Sequence, residues 1–366
     1  MNCTFGTARF FVRCMFGFGN KKQIKVSVCV PVWGTEEVLE NCLESIAAQN
    51  FEGLQIVVVD DGGAGFRAAG GLSAKKIVRD FERRLKKTAA EYRPFVKFIE
   101  HEENKGPLEA RRSALYEASG KYVVFVDSDD RLLGGALDTL YKTAEKTGAD
   151  IVHAMAETAC TVPEQEKSER VLEIYKKINN VFLGGAEGCV QGKEGILLGK
   201  EILDSFLVKR SHNGFLWGKI FDRELCLEAF DKIPPVYCVF GEDFLTYFFI
   251  ALCAKKYAGI DQKVYSYSTG TGISSERKIK TLEEWKKVCS AASACTVLLD
   301  FLKNSKEEFC ITEEEAEAVR GGCRYYAKNN LQQLKGSVVS ELQEEAYREL
   351  CLWWGEGMIK TMETTL

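Results

Sequence analysis

The segment Tyr122–Asp130, YVVFVDSDD, runs from five apolar residues straight into four polar ones, three of them aspartates. An apolar run without alternation is the pattern of a strand buried on both faces, as in a parallel sheet. Three carboxylates at its end repel one another unless a cation sits among them. Oxygen ligands of this kind suit Mg²⁺ or Mn²⁺, which also hold substrate phosphates. The other reading is an acidic turn in which Asp130 caps the next helix.

Read backwards from this segment, strands and helices alternate. Pro107–Ser119 has helical spacing and Gly120 breaks it; Phe95–Ile99 is a strand. Ser73–Tyr92 is a helix ended by Pro94, and it carries Lys75, Lys76, Arg79, Arg83, Arg84, Lys86 and Lys87. Gln55–Val59 is a strand that stops at Asp60-Asp61-Gly62-Gly63. Ile24–Val32 is another valine-rich strand, and Thr35 with Glu36 and Glu37 starts a helix whose apolar residues run from Val38 to Ala47. Strand, helix, strand in this order predicts parallel pairs with right-handed crossovers. Open parallel sheets bind ligands beyond the carboxyl ends of their strands, so the polar strand ends at 33–36, 60–61 and 127–130 are expected on one rim. No GxGxxG fingerprint is present.

Read forwards, the regularity falls. Ile151–Ala156 is a strand and residues 160–195 are a polar loop or excursion. Phe215–Phe221 and Val236–Gly241 flank short helical pieces. Glu242-Asp243 opens an apolar helix, Phe244–Ala254, and Val264–Ser268 is a last strand. From Thr281 the chain is helical and acidic, without a motif. Residues 1–23 hold five phenylalanines and basic residues but no acid. They read either as a poorly ordered terminus or as a segment touching an anionic membrane surface.

Composition narrows the class. The chain has 366 residues, 46% hydrophobic and 28% charged, with net charge −4. That is a globular balance, and it argues against general electrostatic binding of nucleic acid. The run Phe244–Ala254 is far short of the ~20 residues of a membrane span. The 14 cysteines show neither a CxxC pair nor zinc-ligand spacing, and several sit in apolar stretches, which fits a reducing compartment.

Four blocks in order then resemble the family 2 glycosyltransferases. They are Pro31-Val32-Trp33 with the following helix, Val57–Gly62, Asn104-Lys105-Gly106 with Ala110-Arg111, and Tyr122–Asp130. The resemblance is strong over residues 26–148 and weaker to about 275. It implies an α/β, GT-A fold: a Rossmann-like, mostly parallel central sheet flanked by helices, here with a C-terminal helical extension. The expected organisation is a tail at 1–23, a GT-A domain at 24–280 and helices at 281–366.

By position, the resemblance implies that Pro31, Val32 and Trp33 cradle the nucleotide base and ribose. Asp61 accepts from the base N–H with Asp60 in support. Arg111 lies near the donor, Asp127 contacts the ribose, and Asp129 with Asp127 holds Mn²⁺ or Mg²⁺. Trp33 stands where Tyr is usual, Gly63 where Ser is usual and Arg112 where Asn is usual. An inverting transfer needs a base opposite the leaving group, and Gly241-Glu242-Asp243 fits the family's Glu-Asp pair, with Asp243 as the base. Taken alone, the pair also reads as helix capping.

Phe215–Phe221 resembles an acceptor-side block in polysaccharide-building members, with Trp217 stacking on a sugar and Lys219 reaching phosphate; a buried aromatic strand is the alternative. His212 is a candidate third metal ligand, or an ordinary loop histidine. Arg277, after Tyr265-Ser266-Tyr267 and Gly272-Ile273-Ser274, is a candidate contact to the diphosphate.

The implied reaction moves a sugar, with inversion, from a nucleotide-diphosphate donor to a hydroxyl of a glycan or lipid-linked saccharide, a UDP-sugar being the first expectation. Cell-surface polysaccharide assembly, on the cytoplasmic side and peripheral to the inner face of the membrane, is the implied setting. A nucleotidyltransferase is disfavoured because residues 31–38 lack a Gly-rich triphosphate loop. A non-catalytic relative, serving as a sugar-binding or partner subunit, is the alternative that Gly63 and Arg112 keep open.

Overall fold

The computed structural model describes residues 23–63, 65–160, 195–269 and 278–364. The expectations for residues 1–22, for the loop at 161–194, and for Gly272-Ile273-Ser274 and Arg277 lie outside the described residues.

Strands β1 (Val26–Val32), β2 (Leu54–Asp60), β3 (Phe95–Glu100) and β4 (Tyr122–Phe125) form a parallel group in the order β3-β2-β1-β4. The crossovers are helices α1 (Glu36–Ala47), α2 (Ala74–Lys87) and α3 (Pro107–Glu117). β1 and β2 are buried along their whole length, which is why they are nearly all apolar. Successive side chains leave on opposite faces. Val28, Val30, Ile56 and Val58 join the core under α1 and α2, whereas Cys29, Val57 and Val59 join the core under α3.

Beyond β4 the sheet turns mixed. β8 (Lys219–Asp222) runs antiparallel to β4 and to β6 (Ile151–Cys160), and β6 pairs in parallel with β9 (Lys256–Thr269). Helix α4 (Ala136–Thr147) joins β5 (Arg131–Leu132) to β6, and β5 and β7 (Ile196–Leu198) both pair with β9. β9 is far longer than the expected Val264–Ser268, because it pairs with β6 on both sides of a register shift, at Tyr257–Gly259 and again from Lys263 onward. Only the end of Phe215–Phe221 is strand, since Gly218 turns the chain at φ +70°.

Helices α5 (Lys200–Leu207), α6 (Arg223–Asp231) and α7 (Glu242–Cys253) cover the α3 face of the sheet together with a C-terminal set. That set is α8 (Leu282–Cys289), α9 (Ala291–Ser305), α10 (Glu313–Gly336), α11 (Gln343–Trp354) and α12 (Glu356–Glu363). The mixed α/β sheet with helices following it is the architecture the resemblance implied. Packing nonetheless runs without a break across Lys280: Phe248 and Phe249 of α7 meet Phe301 of α9, and Trp285 is fully buried. Among the described residues no helix is long and apolar enough to cross a membrane.

Candidate active site

Because β1, β2 and β4 are parallel, their polar ends share one rim. A solvent-open cleft of about 580 Å³ lies there. Pro31, Val32 and Trp33 line it from β1, Asp61 from β2, Arg111 from α3, and Asp127, Ser128 and Asp129 from β4. Asn104 and Gly106 complete one wall, and Val239 and Lys287 reach it from far along the chain. The acidic turn is held from α1. Gln49 Nε2 donates to the Leu133 carbonyl (2.9 Å), Leu132 N donates to Ser45 Oγ (3.1 Å), and the Thr35 and Ser128 hydroxyls share a 2.6 Å hydrogen bond. Thr35 therefore spends its hydroxyl on the turn and not on capping α1.

The three aspartates of that turn have separate duties. Asp127 and Asp129 line the cleft. Asp130 is 1% exposed and accepts from Tyr265 Oη (2.7 Å) and Ser268 N (2.6 Å), so it pins β9 to the turn and does not cap α4. Burial, then Asp127 and Asp129, holds its carboxyl well above the usual range.

Asp61 sits in a cage. Its Oδ1 accepts from His101 Nδ1 (2.7 Å) and Lys105 N (2.9 Å), and its Oδ2 accepts from Asn104 Nδ2 (3.0 Å) and Gly106 N (2.8 Å). A carboxylate has about four acceptor sites, so these donors already occupy it. Asp61 thus fixes the loop 101–106 as a wall of the cleft, and a base N–H would share an oxygen already in use. Burial raises its carboxyl above the usual value, against the pull of Lys105, His101 and Gly106. Asp60 stands behind the cleft and not in its lining; it is buried, and its Oδ1 accepts from Gly62 N (3.0 Å).

Arg111 joins the two halves of the site. It is 4% exposed, with Nη2 2.9 Å from Asp127 and Nη1 3.2 Å from Glu242 and 3.4 Å from Asp243. Burial works against its charge, but Asp243, Asp127 and Glu242 outweigh that and raise its pKa. Glu242 and Asp243 form the first turn of α7, after Gly241 at φ +85°. A Cβ on Gly241 would lie in van der Waals contact with the Tyr326 ring of α10, at 3.4 Å. Just upstream, Ser290 Oγ, at the α8–α9 corner, accepts from Val239 N (2.9 Å) and Phe240 N (3.3 Å). The C-terminal helices thus set where the Glu-Asp pair stands.

Asp243 differs from its neighbour. Its Oδ1 is buried without a hydrogen bond, although the side chain keeps 23% exposure. Burial pushes its carboxyl up to about 8, opposed by Arg111 and reinforced by Glu242 and Asp127.

Three expectations need correction. His212 is no metal ligand here: its ring packs against Tyr257 (4.7 Å between centroids) and Tyr247 (5.6 Å), and Nδ1 pairs with Ser205 Oγ (3.1 Å). Burial and Lys219 push it down to about 3, and among the described residues no three His, Cys, Asp or Glu side chains gather as a metal set. Trp217 is 5% exposed and stacked on Phe215 (4.8 Å), Tyr265 (5.2 Å) and Tyr267 (5.5 Å), so its ring is spent internally. Lys219 is fully buried, its Nζ donating to Asn213 Oδ1 (2.8 Å) and the Phe215 carbonyl (2.6 Å). The aromatic-strand alternative is nearer the truth for that block.

Lys287, Ser290 and Tyr326 were not anticipated, nor was a role for His101 or Asn104. The Asn104-Lys105-Gly106 block held a signal for the last; a lysine on a charged helix holds none.

With this geometry in hand, the comparisons with known proteins fall into place. Residues 27–68 and 76–196 match the glycosyl transferase family 2 model. Glycosyltransferase GlyA of Streptococcus pneumoniae is 36% identical over 127 residues, 35% of this chain and 16% of that protein. The GalNAc(5)-diNAcBac-PP-undecaprenol beta-1,3-glucosyltransferase of Campylobacter jejuni is 32% identical over 130 residues, 35% of this chain and 37% of that protein. The alignments therefore span well under half of either relative. The crystal structure of S. aureus TarS 1–349 aligns at 18% identity with a TM-score of 0.49, covering 94% of this chain and 92% of that one. Over those matched residues, under half of its length, the chain is similar to the family 2 glycosyltransferases.

Proposed function

We propose that this protein transfers a sugar, with inversion, from a nucleotide-diphosphate sugar to a hydroxyl of a glycan or lipid-linked saccharide, in cell-surface polysaccharide assembly. The observation that carries this reading is Arg111, which ties the donor-side Asp127 to the Glu242-Asp243 pair across one cleft. The undecaprenol-linked substrate in the C. jejuni relative's name supports a lipid-linked acceptor. A UDP-sugar is the donor we assign.

In this mechanism the acceptor oxygen attacks the anomeric carbon opposite the diphosphate. The new C–O bond forms as the sugar–phosphate bond breaks, and the electron pair leaves on the diphosphate. Asp243 takes the hydroxyl proton. A carboxylate that titrates near neutral pH suits this task, since it is both ionised in part and basic enough to hold the proton. Glu242 and Asp127 keep Arg111 in place, and Arg111 limits how far burial raises Asp243. Asp129 and Asp127 offer hard oxygen donors of the kind that hold Mg²⁺ or Mn²⁺ through one or two carboxylates together with substrate phosphates. When bound, such an ion would neutralise charge on the diphosphate.

The test is stabilisation by nucleotide diphosphates with and without Mn²⁺, read as a thermal shift, alongside release of UDP from UDP-sugars. A metal-dependent shift lost in Asp129→Ala, with transfer reduced about a hundredfold or more, is the expected result. Failure of every nucleotide to bind or react would return the weight to a non-catalytic, sugar-binding subunit. A peripheral place at the inner face of the membrane is part of the same proposal. Its support is α2, whose Lys75, Lys76, Arg79, Lys86 and Lys87 are all exposed. Absence of flotation with anionic liposomes would remove it.

A further inference from the structure

We infer that Lys287, supplied by the C-terminal helices, is a donor-binding residue that reads the carbonyl edge of the nucleotide base; this rests on the proposed donor site. The placement is fixed by α8. Its first turn is closed by a capping box, with Thr281 Oγ1 accepting from Glu284 N (3.2 Å) and Glu284 Oε2 from Thr281 N (3.2 Å). Trp285 is fully buried and its Nε1 donates to the Ala346 carbonyl (2.8 Å), which sets the rotation of the helix. Two residues further on, a helical side chain leaves on a different face. Lys287 accordingly turns into the cleft.

There its ammonium lies 3.5 Å from the centroid of the Trp33 ring. A cation over an indole face is held by the ring quadrupole. Trp33 occupies the position expected to cradle the base, and Glu283, Glu284 and Asp61 are close enough to act on Lys287 electrostatically. Among the described residues no carboxylate forms an ion pair with Lys287, whereas Arg111, the other cation lining the cleft, is committed to three carboxylates. Lys287 also follows a route by which the C-terminal region already acts on the site, because Ser290, three residues on, holds Val239 and Phe240.

An ammonium can only donate hydrogen bonds. At the Trp33 end of the cleft it therefore favours a base edge that presents carbonyl oxygens, as uracil does, over one that presents an amino group, as adenine does. Asp61, whose oxygens are already engaged, leaves that discrimination to Lys287.

The experiment titrates UDP and ADP, each with Mn²⁺, into wild type, Lys287→Ala and Lys287→Arg, following tryptophan fluorescence and heat of binding, with donor KM and kcat measured beside them. Lys287→Ala is expected to weaken UDP binding and raise donor KM about tenfold, as loss of one charge-assisted hydrogen bond does. Its kcat should change less than twofold, its preference for UDP over ADP should narrow, and Lys287→Arg should retain most of the affinity. The melting temperature of each variant without nucleotide reports folding. Equal UDP affinity and base preference in wild type and Lys287→Ala overturn the inference and leave the donor site standing. No binding of either nucleotide by wild type overturns the donor site itself, and the inference with it.

Discussion

Asp61 and Asp243 are both aspartates that burial pushes upward, yet their surroundings differ. Asp61 receives four hydrogen bonds, two of them from backbone N–H groups. Asp243 has a buried oxygen with no hydrogen bond, and only charges at a distance, Arg111 at 3.4 Å and then Lys219, favour its ionised form. Donors that meet a carboxylate keep it ionised and fixed; a carboxylate left short of donors takes up a proton near neutral pH. The first arrangement builds a wall and the second leaves a group able to react.

The strongest test of that contrast is Asp243→Asn. Transfer should fall about 10²–10⁴-fold, the usual size of a lost general base. Thermal melting at pH 8 should be unchanged or higher. The carboxyl is raised from 3.8 to about 8, so its neutral form is the one the fold prefers. Its contribution to stability is complete below its unfolded pKa and is lost as the pH rises through the folded one. A variant that melts far below wild type would make Asp243 a structural acid.

In wild type, kcat should climb with pH and level off above about 8, a rise absent from the residual activity of Asp243→Asn. A flat wild-type profile would place the proton elsewhere. Asp61→Ala should show the reverse balance. Leaving His101 Nδ1 and the Lys105 and Gly106 N–H groups without that carboxylate, while Asn104 keeps the Asp61 carbonyl, should cost on the order of 3 kcal/mol in chemical denaturation, so a variant as stable as wild type would refute the cage. The smallest effect is expected for Ser290→Ala, which frees Val239 N and Phe240 N. About 1–2 kcal/mol of stability should go, with a modest fall in kcat; an unchanged kcat would mean that α7 is placed by packing alone.

The same contrast runs through what could be read from the residues in advance. β1, β2 and β4 are legible because strands buried on both faces must be apolar throughout and their ends must carry polar groups. Asp61, Asp127 and Asp129 lie at such ends, Arg111 on α3 was singled out only through the resemblance, and the structure gathers all four on the cleft. Asp243 was legible only through the resemblance, since a pair of acids at a helix start is ordinary capping. Lys287 and Ser290 left no trace, because their roles depend on contacts between distant parts of the chain: Lys287 with Trp33, more than 250 positions away, and Ser290 with Val239 and Phe240. Trp217 and His212 misled for a related reason: an aromatic or a histidine beside a motif looks available until its neighbours in space, Phe215, Tyr265 and Ser205, are known.

The packing across Lys280 bears on how such proteins can be recombined. Phe301 covers Phe248 and Phe249, and Tyr326 covers Phe240, Phe244 and the Cα of Gly241. A chimera that joins this sheet to another relative's C-terminal helices would have to match those rings, and a fragment ending at Lys280 would bare them to water and aggregate. In this chain α7 and the rings that cover it would therefore have to be exchanged together.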